Sequence, residues 1–194
     1  MSTSDPNFNK ALALFSKGNY KDALNLLKKV PKGAFPVLKP YHIGMCYAKL
    51  GKYNKALNSY KKVREIPMDK ASFDQERVLY GIYVNMGSVL QVMGRRKMKK
   101  ANLRKMKEKD SELSPNEQDL NKGKSQGDKK WREMLHDAVN CYDYALQVNQ
   151  ADARLWNNLG NCYLDLGNFK DAHKSFDEAI SRDPEFPEAH YSKS

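Results

Sequence analysis

Residues 156–184 constrain the fold of this chain more than any other stretch. They read Trp156-Asn-Asn-Leu159-Gly160-Asn-Cys-Tyr163, then Gly167-Asn-Phe169, then Ala172, Phe176, Ala179 and Pro184. Trp156, Leu159, Gly160 and Tyr163 fall at i, i+3, i+4 and i+7, which is one face of a first helix. Ala172, Phe176 and Ala179 share a face of a second. Gly160 and Ala172 are small, so two such helices can approach closely while the aromatic rings fill the space beside them. Pro184 stops the second helix. A single helical hairpin cannot bury its own apolar face, so the spacing demands neighbours built the same way.

The rest of the chain supplies them. A first hairpin spans about residues 6–31: Gly18-Asn-Tyr20-Lys-Asp-Ala23 followed by Leu27 mirrors Gly167-Asn-Phe169-Lys-Asp-Ala172 followed by Phe176. Asn7, Ala11 and Leu14 stand in its first helix where Trp156, Gly160 and Tyr163 stand in the last hairpin. The breakers Pro31, Gly33 and Pro36 end it. A second hairpin spans 38–67, with Ile43, Gly44, Tyr47, Gly51, Tyr53, Ala56, Tyr60 and Val63 in phase and Pro67 closing it. The third is split into 73–94 and 131–148. Tyr83, Met86, Gly87, Leu90 and Gly94 mark its first helix, which the Ser72 cap and Gln75 start early. Its second helix carries Ala138, Tyr142 and Ala145. Ala138 lies 44 residues after Gly94 where the phase requires five, so 39 residues are inserted. The fourth hairpin is 153–184, and residues 186–194 have the phase of a partial capping helix. The expectation is an all-α chain, one domain over 1–194, with a long basic insertion at 95–130 inside the third hairpin. That insertion is expected to be helical to about 109 and then mobile, the returning helix starting at Trp131.

Charge divides along the same lines. Residues 1–94 carry +9, residues 95–130 carry +7 and residues 131–194 carry −5. The three parts can therefore meet different partners. No run of about 18 apolar residues is present, so no membrane insertion is expected. The first residues lack the order of a signal or transit peptide. Cys46, Cys141 and Cys162 are an odd set without metal-ligand spacing, read as reduced core residues of a cytoplasmic protein.

The pattern W-x2-L-G-x2-Y…A-x3-F…P, met at every position by 156–184, resembles the tetratricopeptide repeat (TPR). The resemblance implies a right-handed solenoid of helix pairs that carries no catalysis and no cofactor. It implies a concave groove, lined by the first helices, that holds an extended peptide or an amphipathic helix of a partner protein. The expected role is an adaptor assembling a multiprotein complex. The alternatives are a permanently fixed structural subunit, or a nucleic-acid-associated factor acting through 95–130.

By helical phase, the groove face carries Asn9, His42, Asn85 and Asn158 at one equivalent position. An asparagine amide can pair with both backbone groups of an extended peptide. This resembles the asparagine ladder of the TPR superhelix of O-linked N-acetylglucosamine transferase. Asn157, Asn161 and Arg154 widen the polar patch in the fourth hairpin, while Phe8, Leu12, Tyr41 and Met45 make the groove of the first two apolar and aromatic. The carboxylate clamp that some TPR proteins use for Hsp70 and Hsp90 tails is not expected, because the equivalent positions lack most of its cations. The basic patch is Arg95, Arg96, Lys97, Lys99, Lys100, Arg104 and Lys105. It fits a solvated loop, a nuclear localisation signal, or a contact for an acidic surface or nucleic acid. His42, His136, His173 and His190 are scattered over different repeats, and no catalytic or metal-binding motif accompanies them.

Overall fold

A computed structural model describes residues 5–64, 73–110 and 117–188. Its helices are α1 (Pro6–Ser16), α2 (Tyr20–Lys29), α3 (Leu38–Lys49), α4 (Tyr53–Arg64), α5 (Phe73–Asp110), α6 (Glu117–Val148), α7 (Ala153–Leu166) and α8 (Phe169–Arg182). They pair as the phase requires, α1 with α2, α3 with α4 and α7 with α8. Two compact units result, Met1–Val89 and Leu90–Ser194. The Ser72 cap, the Ser114-Pro115 pair and all of the capping segment beyond Glu188 lie outside the described residues.

The hairpin turns follow from local chemistry. Gly18, Gly51 and Gly167 end their first helices at φ of +79°, +70° and +81°. An added Cβ at these positions would meet nothing within 4 Å, so it is backbone conformation and not space that calls for glycine. The next residue in two of these turns is an asparagine with an aspartate three positions on. Asn19 Nδ2 donates to Asp22 Oδ2 at 2.8 Å, and Asn168 Nδ2 donates to Asp171 Oδ2 at 2.6 Å. The repeated Gly-Asn-aromatic-Lys-Asp-Ala run thus builds the same start of a second helix twice, with an acidic side chain where the helix dipole favours it.

In the first unit, Phe8, Ala11, Ala23, Leu24, Leu27, Val30 and Cys46 form a buried cluster. Phe35 leaves the α2–α3 connection at φ +51°, a costly value for a residue with a Cβ. Its ring lies flat on Phe8 with centroids 4.2 Å apart, and this stacking offsets the strain. In the second unit the core includes Trp131, Leu135, Ala138, Tyr142, Leu155, Leu159, Cys162, Ala172 and Phe176. All three cysteines are buried, and none of them is in a disulfide. Burial pushes the Cys46 thiol up to about 11 and the Cys162 thiol up to about 12.

The insertion differs from the sequence expectation on its returning side. α5 is described to Asp110, and α6 is already helical from Glu117 rather than from Trp131. Gly123 and Gly127 each cost a helix interior roughly 1 kcal/mol. That cost makes the stretch read as a break. Once 131–148 is packed, however, extension toward the N-terminus adds one hydrogen bond per residue fixed without a new nucleus.

Candidate functional site

In the first unit, the side chains assigned to the groove make a connected line across three helices. Phe8 on α1 meets the edge of the His42 ring on α3, with centroids 5.7 Å apart. Tyr41 stands beside His42 at 5.2 Å. Asn85 on α5 donates its amide to the Tyr41 hydroxyl at 3.2 Å and to the Gly81 carbonyl at 2.7 Å. A Cβ on Gly81 would lie 2.4 Å from the Tyr41 oxygen, so the glycine makes room for this contact. Leu12 and Met45 are half-buried and Asn9 is exposed.

The same line corrects part of the sequence reading. Phe8 is only 4% exposed and belongs to the core. Phase places it on the side of α1 away from its hairpin partner, but that side is covered by Phe35 and His42. Asn85 has already committed its donors within the chain. In the second unit Asn157 is only 8% exposed, so it too is a packed residue, and its Oδ1 has no hydrogen-bond partner among the described residues. Asn158 and Asn161 remain half-buried. The Asn158 carbonyl accepts from Gln91 at 3.4 Å, and Asn161 Nδ2 donates to the Asn157 carbonyl at 3.0 Å. Arg154 is exposed at the start of α7, 3.7 Å from the Asp152 carboxylate.

The basic residues also divide. Arg95 is half-buried and ion-paired with Asp165, so it is a structural residue of the second unit. Lys97 is half-buried, whereas Arg96, Lys99, Lys100, Arg104 and Lys105 are exposed. Gln91 was not singled out by the sequence. It is a buried amide on α5 whose Oε1 accepts from the Tyr142 hydroxyl at 3.0 Å. A glutamine on the apolar side of a first helix, opposite a motif aromatic, is the signal that would have found it.

His42 gives this line a pH dependence. Burial holds its imidazole below the ordinary 6.5, opposed by the Nδ1 hydrogen bond to the Leu38 carbonyl. The unfolded chain protonates near 6.5, so between the two values it binds more protons than the folded chain. Stability is therefore full above 6.5 and falls as pH drops through the folded value. A thermal melt at pH 5 should show a lower midpoint than at pH 7.5, and His42→Gln should reduce that difference. An identical pH response in the variant would remove His42 as its source.

Among the described residues no group of His, Cys, Asp and Glu is placed to hold a metal ion, and no helix is long and apolar enough to cross a membrane.

Known proteins resemble this arrangement. Residues 153–186 match the family model for the tetratricopeptide repeat. Residues 2–63 match the model for the anaphase-promoting complex, cyclosome, subunit 3. No curated protein matches the chain. A crystal structure of MamA is similar at TM-score 0.64 and 19% identity, over 98% of this chain and 81% of that one. TTC0263, a thermophilic TPR protein of Thermus thermophilus, is similar at TM-score 0.60 and 18% identity, over 96% of this chain and 77% of that one. A MamA RS-1 double mutant gives 0.65 and 17%, over 99% and 83%. At these identities the likeness is one of fold, a solenoid of paired helices.

Proposed function

Because the chain belongs to the tetratricopeptide-repeat superfamily, we propose that it is a non-enzymatic adaptor holding a segment of a partner protein against its first helices. The observation that carries this reading is the composition of the first-helix faces that stay accessible. In the first unit, Asn9, Leu12, Tyr41, His42 and Met45 combine apolar bodies with a few polar atoms. Such a surface suits an amphipathic helix, whose apolar side gains from burial while its backbone needs no partner. In the second unit Arg154, Asn158 and Asn161 are polar and partly exposed, which suits an extended segment with unpaired backbone groups. Phe8 and Asn157 support these faces from beneath. Asn85 holds Tyr41 in place, so the accessible asparagine at that equivalent position is Asn9 in the first unit and Asn158 in the second.

The match of residues 2–63 to a subunit model of a large complex favours a second reading, a subunit held permanently in an assembly. Affinity purification at mild salt separates the two. A groove adaptor is expected to lose its principal partner, by at least about tenfold in recovery, in an Asn9→Ala/Asn158→Ala variant. That corresponds to one or two hydrogen bonds made at an interface. Unchanged recovery of a fixed set of partners at high salt would instead support the permanent subunit.

A further inference from the structure

α5 continues past Gly94 with a composition that the groove does not use. Residues 95–107 carry eight cations and no carboxylate. Arg95 is taken by Asp165. Of the rest, Arg96, Lys100, Arg104 and Lys107 fall within an arc of about 80° on one side of the helix. They follow one another about 6, 6 and 4.5 Å apart along the axis, and all four are exposed. Arg96 and Arg104 also interact within the chain while staying exposed. Half-buried Met98 lies opposite this row and half-buried Ala101 lies beside it, so the helix turns this row outward. Such a row repels itself, because residues four apart on a helix are neighbours and like charges there are unfavourable.

We propose that this row binds the phosphate backbone of a nucleic acid, without reading its sequence. Three features favour that occupant. Protein–protein interface centres are depleted of lysine and built on apolar anchors, and no apolar residue separates the cations of the row. The exposed Leu103 and Met106, at 55% and 64% exposure, stand along one edge. A helix lying in a membrane surface needs a wide apolar side, and the side bearing Met98 is partly covered by the protein itself. Regularly spaced guanidinium and ammonium groups complement regularly spaced phosphates, the contact that gives sequence-independent binding.

The test uses the full chain and a fluorescently labelled DNA duplex of about 20 base pairs, a length that leaves room for four phosphate contacts along the helix. Four contacts predict a log–log salt slope of about −3.6, so affinity falls about 100-fold between 50 and 200 mM salt. Lys100→Glu/Arg104→Glu/Lys107→Glu should weaken binding by more than about tenfold, and the matching glutamine triple should flatten the slope by about 2.7. A control of equal charge change, Lys10→Glu/Lys21→Glu/Lys61→Glu, should lose less than about threefold. Equal losses in control and row variants would reduce the effect to bulk charge and overturn the proposal. So would binding to polyglutamate or to phosphatidylserine vesicles with none to the duplex at 50 mM salt, which would assign the row to an acidic protein or a membrane.

Discussion

Phe176→Ala is expected to lower the stability of the second unit by about 3–5 kcal/mol. Phe176 is among the largest fully buried side chains, and its ring occupies the space that Gly160 leaves open. A Cβ on Gly160 would lie 2.5 Å from Phe176 Cε1, inside any real contact distance. The helices α7 and α8 meet across this pair, so removing the ring leaves a cavity that two backbones must collapse to fill. Gly160→Val is expected to fail for the opposite reason, overpacking, at a cost of about 1–3 kcal/mol. Because the two positions touch, Gly160→Ala combined with Phe176→Leu should cost less than the sum of its parts. The first unit repeats the arrangement, with a Cβ on Gly44 falling 2.4 Å from Tyr60 Cε1. Urea unfolding followed by circular dichroism measures these costs, with the slope m as a check on the two-state reading. A loss below about 1 kcal/mol for Phe176→Ala would mean that the hairpin is not held at this contact.

Loss of the hydroxyl should destabilise at one buried tyrosine and not at another. Tyr142 donates to Gln91 inside the second unit. Tyr142→Phe leaves the glutamine oxygen buried without that donor and is expected to cost about 1–3 kcal/mol. Tyr60 is wholly buried, and its hydroxyl meets no hydrogen-bond partner among the described residues. Burial, with Tyr41 and Cys46 nearby, raises its pKa, so the group stays neutral and contributes only a desolvation cost. Tyr60→Phe removes that cost and keeps the ring against Gly44, so it is expected to be neutral or stabilising by up to about 1 kcal/mol. The same pair of melts decides both. Equal destabilisation in the two variants would show that the Tyr60 hydroxyl is satisfied in solution.

Phase along the helices made much of this legible. The spacing of Trp156, Leu159, Gly160 and Tyr163 located the hairpins, and the small Gly160 and Ala172 marked a close approach of their helices, but that Phe176 is the ring against Gly160 came from the structure. Phase describes one helix at a time, however. It placed Phe8 and Asn157 on an outer side without knowing what would cover that side. It read Asn85 as a ligand group because the Tyr41 hydroxyl that accepts its amide lies 44 residues away. Arg95 looked like one more cation in a basic run, and Asp165, 70 residues on, takes it out of that run. The start of α6 was misplaced because glycine propensity is local, while the support for the helix comes from its packed half. The basic row on α5 was visible as a charge run, but its outward side became definite only with Met98 and Ala101 half-buried.

The central claim, that accessible first-helix faces hold a partner segment, is tested most directly by site-specific photo-crosslinking. A photoreactive residue placed at Asn9 or Asn158, on first helices, is compared with one at Lys62 or His173, exposed on second helices. The account predicts that, within each unit, a partner segment identified by mass spectrometry crosslinks from the first-helix position and not from the second-helix position. Capture of the same segment only from Lys62 or His173 would contradict it and place the binding surface on the opposite helices.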